Sequence, residues 1–178
     1  MNQTILEFLY NLASTNLQIT ELTVFFAVYL PYLIIALLAG LSIFSKDKNF
    51  RRDMIITFIV TSTLWFIVFI FKEIFPTQRP FEVLSNIVPL FSHSAGEAFP
   101  SGHAIFFGAL AAAWFFLGYK RLGFWLGLAA VLITVARVAI GVHWPADVLA
   151  GLFIGSIGAW VLVKLLFLKR YPDLFKES

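Results

Sequence analysis

Apolar stretches and short polar breaks alternate along nearly the whole chain. Uncharged runs long enough to cross a bilayer occupy residues 22–45, 54–71, 104–119, 122–136 and 148–163, the last continuing past Lys164 to Leu168. They predict five membrane spans packed as an all-α bundle. Pro31 falls inside the first, where a membrane helix tolerates it as a kink. Residues 4–19 follow a different pattern. Ile5, Leu6, Phe8, Leu9, Leu12 and Leu17 recur among polar positions, which predicts an N-terminal amphipathic helix at the membrane interface and not a sixth span. Gly151 and Gly155 in the fifth span, and Gly123 and Gly127 in the fourth, have the small-xxx-small spacing that lets helices approach closely; packing within one chain is the expected use.

Composition agrees with an integral membrane protein: 60% of the residues are hydrophobic, 13% are charged, and mean hydropathy is +0.88. A length of 178 residues allows a single membrane domain, 1–178, of which residues 1–20 form the interfacial helix. The absence of cysteine excludes disulfides, thiolate catalysis and Cys-based metal sites. The N-terminal twenty residues carry no Lys or Arg and no continuous apolar core, so they do not resemble a cleavable signal peptide. A pI near 9.3 raises the question of nucleic acid, but the basic residues sit in short clusters between apolar runs, as membrane topology requires. Nucleic acid is therefore not an expected partner, and no obligate protein partner is evident.

The charges orient the spans. Lys46, Lys48, Arg51 and Arg52 fall between spans one and two, Lys120 and Arg121 between three and four, and Lys164, Lys169, Arg170 and Lys176 at or after the end of five. All ten are expected on the cytoplasmic side. Of the thirteen Lys and Arg, only Lys72, Arg79 and Arg137 remain, and alternation puts them on the outer side. Lys72 lies roughly 28 Å along its helix from Asp53, Arg137 about 24 Å from Arg121, and His103 about 26 Å from Lys120, each close to one hydrocarbon thickness. Ionisable groups converging on one membrane level are costly and point to function.

Three segments supply these groups: KEIFPTQRP at 72–80, FPSGHA at 99–104 and RVAIGVHWPAD at 137–147. Three cations with almost no carboxylate suit an anionic ligand, since the Arg fork bonds two phosphate oxygens and Lys adds a point charge. Ser101 is the expected N-cap of span three, leaving the N–H groups of Gly102 and His103 free for an anion. Pro145 fits the first position of span five, with His143 just before it and Asp147 on its first turn. From there Asp147 can reach back to His143, fix its tautomer and stabilise positive charge on it, so that the other ring nitrogen is free to attack phosphorus. A metal site built from His93, His103, His143 and Asp147 is conceivable by residue type, but three adjacent cations would repel a divalent ion.

Lys72 to Arg79-Pro80 (K-x6-R-P), Pro100-Ser101-Gly102-His103 (P-S-G-H) and Arg137 to His143 to Asp147 (R-x5-H-x3-D) resemble the three-part signature of the type 2 phosphatidic acid phosphatase superfamily, membrane lipid phosphatases. The likeness covers a motif-bearing core of roughly residues 54–160. It implies that His143 is the nucleophile forming a phosphohistidine, that Asp147 orients it, and that His103 protonates the leaving oxygen. It further implies that Lys72, Arg79, Arg137, Ser101 and the Gly102 N–H hold the phosphoryl oxygens, with no metal and no cofactor. One position departs: the family usually has Ser before the third-motif Arg, and here it is Ala136, which removes an expected hydroxyl contact to phosphate.

Only about nineteen residues, FEVLSNIVPLFSHSAGEAF, separate the first two motifs, too few for a folded cap, so the site is expected to open sideways into lipid. A phosphorylated membrane lipid is the expected partner. Glu97 and His93 sit just before FPSGH, where they read as contacts to a headgroup, as residues that tune His103, or as solvated loop residues, the last being the expected reading for His93. The HSAGEAFPSGH run is similar to small bacterial undecaprenyl diphosphate phosphatases of this family, which implies a multi-pass protein of the bacterial inner membrane with its site facing the periplasm or cell exterior. Phosphatidylglycerophosphate and lipid A phosphatases share the motifs, as would a lipid phosphotransferase, so these alternatives stand beside it. A lipid-binding or transport protein with a decayed site fits less well, because every catalytic residue type is present.

Overall fold

The computed structural model describes residues 1–92 and 96–167. His93, Leu168 and the basic residues Lys169, Arg170 and Lys176 lie outside the described residues. Among the described residues all regular structure is helical: α1 (Asn2–Ala13), α2 (Leu17–Val24), α3 (Leu30–Phe44), α4 (Lys48–Ile74), the one-turn α5 (Pro80–Val83), α6 (Gly102–Phe116), α7 (Lys120–Ala139) and α8 (Pro145–Phe167).

The interfacial helix and the first span differ from their expected bounds, 4–19 and 22–45. The helix at the N-terminus stops at Ala13, and a new one starts at Leu17, so Leu17 belongs to the span. Asn16 is the cause: its side chain accepts the Ile19 amide at 3.0 Å and caps a fresh helix. From Leu17 to Phe44 the chain is one continuous apolar helix. Its turn at Phe25–Tyr29 is widened to π geometry, with the Leu30 N–H reaching back to the Phe25 carbonyl. Pro31 explains this, because it has no N–H to donate and its ring crowds the preceding turn. The kink expected at proline therefore takes the form of a π-turn just before it.

Among the described residues, four helices are long and apolar enough to cross a membrane: Leu17–Phe44, Lys48–Ile74, Lys120–Ala139 and Pro145–Leu166. The helix α6 is shorter, 15 residues, or roughly 22 Å against a hydrocarbon core of about 30 Å. It ends earlier than the apolar run does, because Gly118 takes a positive φ and turns the chain. Its shortness is tolerable because it is the inner helix, buried on most sides. Ile105, Ala109 and Ala113 pack with Val60, Leu64 and Val68 of α4 and with Ala159 and Val163 of α8. Phe107, Leu110 and Trp114 pack with Leu126, Ala130 and Ile133 of α7.

The α6–α8 seam is very close at two glycines. A Cβ on Gly155 would lie 2.3 Å from the Ile105 carbonyl oxygen, and one on Gly151 would lie 2.7 Å from the Ala104 Cβ. The small-residue spacing is thus used within the chain, and it fixes the start of α8 against the start of α6. At the basic end, Tyr119 donates to Asp53 Oδ2 at 3.2 Å, joining the α6–α7 turn to the first turns of α4. Burial, and then the Asp53 carboxylate, push the Tyr119 phenol up to about 12. Lys72 and Arg137, at the far ends of α4 and α7, come together at the opposite end. There α1 lies across the bundle, with Leu6 fully buried against Ile87, Ala104, Val138 and Val148, and Asn2 accepts the Ala146 amide at 3.0 Å on the first turn of α8.

Candidate active site

Each of the three segments reaches the same place by a local device. Helix α4 ends at Ile74, just before Pro76, with Lys72 in its last turn and Arg79 seven residues on as the N-cap of α5. The Arg79 amide donates to Glu82 Oε2 at 2.7 Å. Ser101 is the N-cap residue of α6, as expected, but its hydroxyl does not cap. The Ser101 Oγ is buried and has no hydrogen-bond partner within the protein. After α7 the chain turns at Gly141, φ +83, where a Cβ would meet the Ile87 Cγ2 at 2.7 Å. Only glycine fits that turn, and it delivers His143 just ahead of Pro145.

Lys72, Arg79, Gly102, His103, Arg137 and His143 line one cavity of about 180 Å³, together with Trp65 and Val68. Arg79 stitches the three segments together. Its Nε donates to the Gly96 carbonyl at 3.0 Å, one terminal nitrogen to the Val142 carbonyl at 2.9 Å, and the other to the Glu97 carbonyl at 3.3 Å. Lys72 Nζ also donates to the Glu97 carbonyl. These cations therefore rest on neutral carbonyls, which orient them without cancelling their charge.

His143 is 3% exposed, and its Nδ1 faces Asp147 Oδ2 at 3.6 Å, slightly beyond hydrogen-bonding distance. Facing Asp147 with Nδ1 leaves Nε2 as the nitrogen available to the cavity. Burial, and then the charges of Arg137, Arg79, Lys72 and His103, hold the His143 imidazole well below its usual pKa, so the ring is neutral at pH 7. Asp147 is tied down independently: its Oδ2 accepts the Trp144 amide at 2.8 Å, the reciprocal half of a capping box, and its carbonyl accepts the Ser101 amide at 3.1 Å. A neutral imidazole backed by a fixed carboxylate and facing a cation-lined cavity can serve as a nucleophile toward a tetrahedral anion.

Two positions bear on the expectations. Glu97 Oε2 accepts the Thr77 amide, which ties the residue to the first segment. Ala136 is buried with Ala27, Ile140 and Val142 and lies outside the cavity lining, so a serine there would face this apolar cluster. Two contributors were not singled out in the sequence. Thr77 looks like any loop threonine, and Trp65 like any aromatic on a lipid-facing helix. Trp65 is shared with a neighbouring apolar groove of about 440 Å³ between α3, α4 and α6, lined also by Pro31, Tyr32, Ile35, Phe58, Gly102, His103, Phe106 and Phe107. A second groove of about 340 Å³ continues from Ile35, Phe58 and Phe106 down to Met54.

Long apolar helices, with the charged residues gathered at the two ends of the bundle, define a multi-pass membrane protein. The chain belongs to the PAP2 superfamily, whose family model matches residues 54–171. It is 28% identical over 180 residues to the bacitracin transport permease protein BcrC of Bacillus licheniformis, an alignment covering 96% of this chain and 85% of that protein. It is 29% identical to an undecaprenyl-diphosphatase of Sulfolobus acidocaldarius, over 75% of this chain and 64% of the relative. Among solved structures, the LpxE protein of Aquifex aeolicus superposes with a TM-score of 0.70 at 26% identity, covering 92% of this chain and 94% of that one.

Proposed function

We propose that this protein is a membrane lipid phosphatase that releases inorganic phosphate from a lipid diphosphate, with undecaprenyl diphosphate as the preferred substrate, through a phosphohistidine on His143. The observation that carries the reading is the single cavity in which a neutral His143 faces Lys72, Arg79, Arg137 and His103. Lys72, Arg79, Arg137, the Ser101 hydroxyl and the Gly102 N–H take the oxygens of the terminal phosphoryl group. His143 Nε2 forms a bond to phosphorus as the bond to the bridging oxygen breaks, and His103 gives its proton to that oxygen, releasing the lipid monophosphate. A water molecule then attacks the phosphohistidine, returns a proton to His103, and frees inorganic phosphate and neutral His143. Positioning and charge supply the catalysis, so no metal ion is required.

The lipid assignment is supported by the apolar grooves that begin at Trp65 and His103 and reach Met54. Eleven residues of α4 separate Trp65 from Met54, which corresponds to about 16 Å, half a hydrocarbon core. A diphosphate bound at the cavity would leave its chain at the right depth to lie in them. Relatives named undecaprenyl-diphosphatase favour the polyprenyl substrate; relatives named lipid A 1-phosphatase make a lipid A phosphate the second reading. The outward orientation rests on the basic loops at the Asp53–Tyr119 end.

Phosphate release by the purified protein from undecaprenyl diphosphate, lipid A, phosphatidylglycerophosphate and a soluble phosphate ester, with and without EDTA, tests the reading. The expected result is fastest release from the polyprenyl diphosphate, undiminished by EDTA. A preference for the soluble ester would overturn the lipid assignment, and rescue of EDTA-treated protein by Mg²⁺ or Zn²⁺ would overturn the metal-free one.

A further inference from the structure

Between Lys72 and Arg79 the backbone has little hydrogen bonding of its own. Helix α4 has ended at Ile74, Pro76 has no amide to donate, and α5 begins only at Pro80. A segment with that freedom would hold its two cations loosely, yet misplacing a catalytic group by 1 Å can cost about 100-fold in rate. The Gln78 carbonyl accepts the Trp144 Nε1 at 2.9 Å, and the residue before it is fixed at three points. The Thr77 amide donates to Glu97 Oε2, the Thr77 carbonyl accepts the Ala98 amide at 2.8 Å, and the Thr77 Oγ1 accepts the Phe99 amide at 2.8 Å. Three consecutive residues leading into the second motif thus grip the middle of the first.

Glu97 does more than close this grip. Its own carbonyl receives both Lys72 Nζ and an Arg79 terminal nitrogen. The residue that holds the loop by its side chain therefore holds both cations of that loop by its main chain. A carboxylate makes a stronger, shorter bond to an amide than a neutral acceptor does, so Glu at this position stiffens the link.

We infer that Glu97 and Thr77 are positioning residues that set the spacing of Lys72 and Arg79 around the bound phosphoryl group. This inference rests on the reading of the cavity as a phosphate site. It assigns Glu97 no contact with substrate, so the identity of the lipid headgroup does not enter its effect.

The experiment compares wild type, Glu97→Ala, Glu97→Gln and Thr77→Val as purified full-length proteins. Phosphate release is measured on undecaprenyl diphosphate and on a short-chain soluble phosphate ester, and vanadate affinity is measured by thermal protection. Glu97→Ala is expected to lower kcat/KM by about 30- to 100-fold on both substrates alike, mostly in kcat, and to weaken vanadate binding in parallel. Glu97→Gln keeps an oxygen for the Thr77 amide and is expected to retain at least about a third of wild-type activity, while Thr77→Val loses the Phe99 bond and about 5- to 10-fold of activity.

A loss that differs between the two substrates, with Gln no better than Ala, would make Glu97 a headgroup contact and overturn the inference. A lowered melting temperature with unchanged kcat and vanadate affinity would reduce the pair to structure and overturn it too. If Glu97→Ala does not fold, Thr77→Val and Glu97→Gln decide by the same readouts. If the wild type releases no phosphate from either substrate, the phosphatase reading fails by itself, and the vanadate comparison still decides on the clamp.

Discussion

The two ends of the bundle each bury one aspartate, and they treat it in opposite ways. Asp53, at the basic end, takes the Arg52 guanidinium on Oδ1 through Nε at 2.9 Å and a terminal nitrogen at 2.7 Å, and the Tyr119 hydroxyl on Oδ2. Its charge is met by a cation inside the protein. Asp147, at the other end, faces an imidazole that burial keeps neutral and a backbone amide. There Lys72 and Arg79 rest on carbonyl oxygens. One end pairs its aspartate directly with a cation; at the other, Lys72 and Arg79 are hydrogen-bonded to carbonyls and feel Asp147 and Glu97 only through space. Cancelling charge holds helices together, and withholding cancellation makes a binding site.

This contrast breaks most visibly at His143. Replacing it with alanine is expected to lower kcat by at least about 10,000-fold while the fold survives, since no other group is placed to attack phosphorus. Phosphate release at fixed protein concentration measures it. Asp147→Asn is expected to cost about 100- to 1,000-fold, because the imidazole loses the carboxylate that orients it and stabilises its charge. The Asp53 end should answer in the other currency. Asp53→Asn is expected to lower stability by about 1–2 kcal/mol, read as a lower melting temperature in detergent, and to leave kcat within about 3-fold of wild type.

Acid sharpens the same comparison. The folded pKa of His143 lies below the unfolded value, so its neutral form stabilises the fold fully above about pH 6.5, and that contribution is lost as pH falls through the folded pKa. Nitrogen-labelled histidine spectra at pH 6.5 should show the His143 ring neutral; a protonated ring there would contradict the geometry. The smallest effect is expected at Ala136. Because it packs with Ala27, Ile140 and Val142, Ala136→Ser should change kcat/KM by less than about 2-fold.

The spans and the three motifs were legible because both are written in strong signals. Apolar runs of this length have few other uses, and ionisable residues at membrane depth stand out against them. The break at Ser14–Asn16 was not legible, since Leu17 continues the apolar spacing and only the side-chain cap at Asn16 reveals a restart. The direction of Ala136 was hidden for a related reason. On a helix buried on several sides, neighbouring residues face different partners, and Arg137 turns to the cavity while Ala136 turns to the first span. Thr77 and Glu97 act through backbone amides and carbonyls brought together by the fold, and a spacing of twenty residues between them carries no local signal.

The central claim is that phosphorus passes through His143. A rapid-quench experiment with undecaprenyl diphosphate labelled in its terminal phosphate tests it most directly. The expected result is a protein-bound label within the first turnover that is stable in alkali, labile in acid, confined to the peptide carrying His143, and absent from His143→Ala. Full turnover with no such label, or a label on any other residue, would contradict it.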